Sequence, residues 1–533
     1  MRNGRRTQRT IASAGPIKSI AIVGGGTTGW IVASLMAKKL NSSCDIQLIE
    51  SAAIGRLGVG EATVPSIKRE VFDYLEIPED EWMSACHATF KLGINFVNWT
   101  ESKESKKANS YFHLFGEIPT VDGIPLTHYW LRNKLMGKDV GRFDESLYKA
   151  AAMCSAERAP LQRDGTRVEH YAYHFDAQLV ADYLSNWAQG RGVKRIEATV
   201  AGVDLDARGW VSGLQLDNGE QVTADLYIDC SGFRGLLINE TMKVPFTSFN
   251  ENLLVDRAIA MPTDNEPGQE LEPFSTATAL SAGWSWNIPL QHRTGNGYVY
   301  SSAHISSDEA ELEFRKLVNM PDKGECRHLK MRIGRNSKAW TNNVVAFGLS
   351  YCFIEPLEST GIYSTYAGVH QFLRYFPDLT MDLGLQEKFN ERMAYMVDDI
   401  RDFIVMHYVV TNREDSSFWR TCKYDLPYSD NLKEVLELHR AGVPVRQGYA
   451  GDELYNQFEA SFDRFWTNSN YMSVLIGSDK FPEKIMPILN CMPESVAQAQ
   501  RQIKEIKWQG EQLKSSLPSH REYCNLMRDN AAM

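Results

Sequence analysis

The run Ile17-Lys-Ser-Ile-Ala-Ile-Val23 is rich in β-branched residues and predicts a buried strand. The apolar run Ile31–Ala37 predicts a helix, and only Gly24-Gly-Gly-Thr-Thr-Gly29-Trp30 separates the two. Asp45-Ile-Gln-Leu-Ile-Glu50 predicts a second strand, so residues 17 to 50 read as one βαβ unit. Thr89 to Trp99 alternates with period two: Phe90, Leu92, Ile94 and Phe96 share one face, and Lys91, Gly93, Asn95 and Val97 the other. Further along, Tyr171–Asp176 leads into a helix over 177–190, and short strands follow at 193–203 and 213–216. Asp225–Gly232 and Asn343–Gly348 read as buried strands. Residues 363–375 predict a helix that Pro377 ends. From about 380 the chain reads as helical, with Phe389, Met393, Met396, Val397, Ile400, Phe403 and Ile404 at 3–4 spacing. Ile503, Ile506 and Leu513 mark what reads as the last amphipathic helix.

Composition narrows this picture. A chain of 533 residues suits two or three fused subdomains, and 43% hydrophobic with 23% charged residues is ordinary for a soluble protein. No apolar run reaches the length of a membrane span, so no membrane association is expected. The net charge of −10 argues against nucleic acid. Nine singly scattered cysteines suit free thiols in a cytoplasmic setting, and the 12 histidines show no metal-binding spacing, so no metal is expected. The basic start Met1–Arg9 lacks an apolar segment behind it, and residues 1–16 read as a disordered tail.

Chemistry concentrates at a few places. Gly24, Gly26 and Gly29 stand in the dinucleotide-fingerprint spacing, between strand and helix. Gly24 permits the tight turn, Gly26 the approach of a pyrophosphate, and Gly29 close helix–strand packing. Glu50 ends the second strand, where an acid accepts hydrogen bonds from a ribose. The segment Gly58–Pro65 leaves room for a flat ligand, or is a plain surface loop. Lys91, opposite a continuous apolar face, reads from pattern alone as a solvated charge. His113 and Phe115 share a face if extended, as core or as the wall of an aromatic slot. Trp284 and Trp286 share a strand face in Gly283-Trp-Ser-Trp-Asn-Ile-Pro289. Glu358-Ser-Thr-Gly361 opens a helix with backbone N–H groups suited to an anion, beside an acid that needs a separate task.

Together these motifs resemble the flavin-dependent halogenases, the tryptophan halogenases above all. The resemblance rests on Gly24–Trp30, Phe90-Lys-Leu-Gly93, Gly283–Pro289 and Glu355-Pro-Leu-Glu-Ser-Thr-Gly-Ile362, and it runs from about 17 to at least 480. It implies a mixed α/β fold. Residues 17–375 would form a Rossmann-type FAD-binding domain of the aromatic-hydroxylase type with an inserted β-sheet. Residues 376–533 would form a helical substrate-side subdomain. FAD would be held by Gly24, Gly26, Thr27, Thr28, Gly29, Trp30, Glu50, Ala62 and Gly348. A separate reductase would supply it as FADH2, and with oxygen and chloride or bromide it would yield hypohalous acid. Thr360 and Gly361 would bind the halide. Trp284, Trp286, Ile288 and Pro289 would wall a tunnel that keeps substrate from the flavin. Lys91 would be the family's catalytic lysine. It would polarise the O–X bond as an ammonium or form a haloamine as an amine, with Glu358 as its ion-pair partner or as general base and Ser359 to relay or orient. The substrate, a small electron-rich aromatic, would meet His113, Phe115, Tyr455, Phe465, Trp466 and Asn470. A monomer or homodimer is expected.

The chain departs from the family where a free amino acid would be clamped. The expected Tyr-Tyr pair reads Leu454-Tyr455, and the glutamate position reads Ser461, with Glu459 and Asp463 near by. Fewer groups then pair an ammonium and a carboxylate, so indole or a larger indole-bearing or phenolic compound is expected over free tryptophan. The rival readings are an FAD-dependent aromatic monooxygenase, which leaves Lys91 and the 283–289 motif unexplained, and an NAD-dependent dehydrogenase or a binding module without chemistry.

Overall fold

A computed structural model describes residues 15–40, 43–52, 60–101, 109–320, 324–446 and 465–531. A six-stranded sheet runs in the order Lys194–Glu197, Asp45–Glu50, Ser19–Val23, Leu226–Asp229, Val344–Ala346 and Trp340–Thr341. Its first five strands are parallel and the last is antiparallel. The helices Thr27–Leu40, Ala177–Gln189 and Thr360–Arg374 pack together over this part of the chain. Ile20, Ile22, Leu48, Leu226, Ile228 and Val344 are buried, because a parallel sheet in an α/β layer loses water on both faces.

The insertion into this unit is a seven-stranded sheet in the order Arg327–Lys330, Arg257–Asp264, Arg293–Tyr300, Gly283–Pro289, Ser275–Ala279, Gly93–Val97 and Ser110–Leu114. A three-stranded sheet, Glu61–Ala62, Ala172–Phe175 and Thr89–Lys91, stands beside it. The alternating stretch 89–99 is therefore two strands in two sheets. At Leu92 the chain changes partner: the Leu92 N–H donates to Pro273 O at 2.7 Å, and Phe115 N–H donates to Leu92 O at 2.8 Å. Gly93 makes the switch possible, since a Cβ there would stand 2.4 Å from His113 O.

The helical half begins with Leu383–Val409, whose N-cap Asp382 accepts from Leu385 N. Ile503, Ile506 and Leu513 lie on the helix Pro493–Ser516, but that helix is not the last. His520–Ala531 follows and packs against Glu79–Ala85 and against the strand that carries Lys91. Its amphipathic pattern is short and polar, which hid it in the sequence. Of the expected tail, Gly15 and Pro16 are described, and Pro16 bridges Asp378. No helix among the described residues is long and apolar enough to cross a membrane, and none of their His, Cys, Asp and Glu side chains form a metal-binding group of three or more.

Candidate active site

Two regions of the fold carry the motifs. The first lies at the C-terminal end of the parallel sheet. Gly24 has φ of +115°, and a Cβ there would meet Cys230 O at 2.2 Å. Gly29 lies so close to Gly24 that its Cβ would stand 1.8 Å from the Gly24 carbonyl oxygen. At Gly26 a Cβ would meet nothing within 4 Å, so this backbone faces open space at a helix N-terminus. Glu50 is buried, accepts from Arg195 Nε at 2.5 Å, and lies against Gly25, where any side chain would collide with its carboxylate. Gly348, at φ of +60°, seats against Thr28, and Thr27 Oγ1 donates to Ala177 O at 2.9 Å. This cradle fits a dinucleotide: open backbone at the turn and an acid at the end of the second strand. Trp30 does not belong to it. It is 0% exposed inside the apolar core, because the residue after Gly29 turns inward on the helix.

Trp284 and Trp286 are buried on one face of Gly283–Pro289, with ring centroids 6.4 Å apart. Gly297 on the next strand admits the Trp286 ring, which a Cβ there would meet at 2.0 Å. Trp284 Nε1 donates to Glu355 Oε2 at 3.1 Å, and Tyr408 OH donates to the same oxygen at 2.6 Å. Burial pushes the Glu355 carboxyl up to about 7, against those two donors. In the sequence Glu355 stands out only as part of a motif, and nothing marks Tyr408. At the far end of the strand, a Cβ on Gly60 would touch Ile288 at 3.7 Å, and Pro289 O accepts from Thr89 Oγ1 at 2.6 Å. Glu61, Ala62 and Thr63 follow Gly60, so three residues lead from this wall to the second region.

That second region centres on Lys91, which is 0% exposed rather than solvated. Its Nζ donates to Thr63 O at 3.0 Å and to Ser359 Oγ at 2.8 Å, and stands 5.1 Å from the Phe115 ring centroid. Burial pulls the Lys91 ammonium down to about 7, and the Glu358 carboxylate opposes it. Thr63 had no place in the sequence reading, because a backbone carbonyl leaves no mark in a sequence.

Glu358 does not hydrogen-bond Lys91. Its Oε1 accepts from His113 Nδ1 at 2.8 Å and from His407 Nε2 at 2.9 Å, while Oε2 makes no hydrogen bond among the described residues. Burial alone would raise this carboxyl; the His113 and His407 imidazoles outweigh it and bring it to about 2. The arrangement depends on backbone geometry. Glu358 and Ser359 have φ of 65° and 61°, left-handed values that cost non-glycine residues of order 1–3 kcal/mol each. These turns send Glu358 towards the histidines and Ser359 towards Lys91. Thr360 is buried and Gly361 exposed at the first turn of the helix, with nothing within 4 Å of where a Gly361 Cβ would stand.

Around this centre Trp466 stacks on Phe403 with centroids 3.8 Å apart, and its ring centroid lies 6.5 Å from that of His113. Phe465 stacks on Tyr363 at 4.1 Å. Asn470 is committed inside the protein: its Oδ1 accepts from Thr467 N at 2.7 Å, and its Nδ2 donates to His113 Nε2 at 2.8 Å. It is the third residue of the helix Asn468–Gly477 and closes a capping box with the N-cap Thr467, so its amide does not face a substrate as expected. Tyr455, with Leu454, Glu459, Ser461 and Asp463, lies outside the described residues. His407 was missed because, within Phe403–Tyr408, it reads as one polar position in a core helix.

The chain is similar to known proteins over nearly its whole length. The family model described as tryptophan halogenase matches residues 19–494. The tryptophan 6-halogenase ThaL of Streptomyces albogriseolus is 41% identical over 517 residues, covering 94% of this chain and 97% of its own. The tryptophan 7-halogenase RebH of Lentzea aerocolonigenes is 40% identical over 524 residues, covering 96% and 98%. The solved tryptophan 6-halogenase SttH from Streptomyces toxytricini superimposes with a TM-score of 0.87 at 35% identity, covering 96% of this chain and all of that one.

Proposed function

The chain belongs to the tryptophan halogenase family and is a flavin-dependent halogenase; on that premise we propose that it halogenates an electron-rich aromatic, indole or an indole-bearing compound, with hypohalous acid handled at Lys91 and Glu358. The carrying observation is a fully buried lysine with two donors anchored, beside a carboxylate with one oxygen open. When bound at Gly24, Gly26, Thr27, Thr28, Gly29, Glu50, Ala62 and Gly348, FAD as FADH2 from a separate reductase supplies, with oxygen and halide, the oxidised halogen. Halide would sit at the N–H groups of Thr360 and Gly361, which Ser359 leaves uncapped.

The chain's own residues do the selective work. Thr63 O and Ser359 Oγ fix Nζ, so the third N–H of the ammonium is left to bond the oxygen of hypohalous acid. Halogen passes from oxygen to ring carbon as the C–X bond forms. Lys91 gives its proton to the departing oxygen, which leaves as water. Glu358 Oε2 takes the proton from the ring carbon and returns it to Lys91, so the pair ends each cycle as it began. The buried Trp284–Trp286 wall keeps the ring away from the flavin, which leaves halogenation and not hydroxylation as the outcome. The aromatic faces of Phe115 and Trp466 suit a flat ring. Asn470, engaged on His113, offers no amide to an amino-acid head, which supports indoles over free tryptophan.

Turnover with a flavin reductase, FAD, NADH and chloride or bromide, over a panel of indoles, tests this by mass spectrometry. Halogen gain is expected; oxygen gain without halogen would overturn it in favour of a hydroxylase.

A further inference from the structure

Glu358 Oε1 is shared by two imidazoles, and the other nitrogen of each ring fixes where its protons lie. For His113 the other nitrogen is Nε2, 2.8 Å from Asn470 Nδ2. The orientation of that amide is set by Thr467, whose backbone N–H can only donate and lies 2.7 Å from Asn470 Oδ1. The Asn470 NH2 therefore donates to Nε2. His113 then carries one proton, on Nδ1, and holds the Glu358 carboxyl down by donating that hydrogen bond, not by a full charge.

For His407 the other nitrogen is Nδ1, 2.9 Å from Phe403 O one turn earlier in the same helix. A backbone carbonyl only accepts, and its two lone pairs allow it to serve a side chain beside the helical N–H. A carboxylate also only accepts. A neutral imidazole has a single N–H and meets one of these partners; an imidazolium meets both. The rings of Phe96 and Phe403 lie 5.1 Å from His407 centroid to centroid, close enough for a ring cation to be felt by their π electrons.

Resting on the halogenase reading above, we infer that His407 is a protonated imidazolium whose charge cancels that of Glu358, while Asn470 keeps His113 neutral. The consequence falls on Lys91. The groups facing it are Thr63 O and Ser359 Oγ, the Phe115 ring, the carboxylate of Glu358, and His174 on the neighbouring strand. His174 is buried and held well below its ordinary value, so it adds no charge, and His520 behind it, at about 4, adds none. Among the described residues Glu358 is thus the one anion acting on the amine, and His407 neutralises it. That leaves the lysine free to lose its proton to a departing oxygen. His407 is buried and bonds only Glu358 and Phe403 O through its ring among the described residues, so it is a positioning residue acting through Glu358.

The full-length protein labelled with 15N-histidine tests this without cofactor or turnover. Long-range 15N–1H correlation at about pH 7.5 is assigned with His113→Phe and His407→Gln. Two protonated nitrogens are expected for His407, and one, Nδ1, for His113. A His407 ring with one bare nitrogen overturns the proposal. The second arm is the halogenation pH profile of His407→Gln, which keeps an N–H for Glu358 but no charge. Its alkaline limb is expected to move up, to roughly tenfold lower proton concentration or further. An unmoved limb with kcat lowered equally at every pH would mark a merely structural role and overturn the proposal. Failure of the wild type to halogenate would refute the proposed function and leave the spectrum to stand alone.

Discussion

Ser359 occupies the N-cap position of the helix Thr360–Arg374, yet its hydroxyl accepts from Lys91 Nζ at 2.8 Å instead of capping that helix. One serine thereby anchors the amine and leaves the first N–H groups of the helix without a side-chain cap. Both effects follow from the left-handed backbone at Glu358 and Ser359.

The position of Lys91 predicts a pH signature in activity and in stability. With its ammonium at about 7, the halogenation rate falls through an alkaline limb near that pH. The stability effect has the matching sign. The folded pKa lies below the ordinary 10.5, so between about 7 and 10.5 the unfolded chain binds more protons and wild-type stability rises with pH. Lys91→Met lacks this contribution. Its melting temperature is expected to exceed that of the wild type by about 1–4 °C near pH 6, with the gap closing as pH rises.

Glu355 predicts the opposite slope. Its carboxyl is raised to about 7, so between its ordinary 4.5 and 7 the folded state binds more protons, and wild-type stability falls as pH rises. Glu355→Gln keeps an acceptor for Trp284 and Tyr408 and removes that slope. Glu355→Leu orphans both donors and is expected to cost about 1–3 kcal/mol. Denaturant melts from pH 4.5 to 7 check all three proteins.

Gly29→Ala is expected to abolish flavin binding. The new Cβ would stand 1.8 Å from the Gly24 carbonyl, and the backbone of the turn has to move. Flavin titration followed by fluorescence should show at least roughly tenfold weaker binding, with Lys91 and its partners undisturbed.

The departures at Leu454 and Ser461 and the engaged Asn470 amide predict weak recognition of an amino-acid head. Calorimetry should show indole or a larger indole compound binding at least as tightly as free tryptophan. Tight, saturable tryptophan binding would refute this part of the account.

Much of this was legible in the sequence, for reasons that differ by residue. The strand–glycine–helix unit at 17–50 is local, and its periodicity and glycine spacing survive into the fold as the turn at Gly24–Gly29. Lys91 was not legible from periodicity. Alternation placed it on the polar face of one long strand, but the chain changes sheets at Leu92 and leaves the lysine buried. Only the resemblance marked it. The partners of Glu358 were hidden for another reason. His407 lies 49 residues away and His113 lies 245 away, and no local pattern encodes such a meeting. Thr63 contributes only its carbonyl, which every residue has. The last helix was lost because it is short and polar and its anchoring contacts are remote in sequence: Phe90 N–H donates to His520 Nε2 at 2.9 Å across 430 residues, and Leu271 O and Glu157 O accept from the same histidine.

The central claim is that the oxidised halogen is used at Lys91 and not beside the flavin. It is tested most directly by Lys91→Met in reductase-coupled turnover with bromide and indole, followed by oxygen uptake, by a chemical trap for free hypohalous acid and by product mass. The account predicts that oxygen uptake and trapped hypohalous acid persist, while brominated indole falls at least about a hundredfold. Bromination of indole at the wild-type rate by this variant would contradict it.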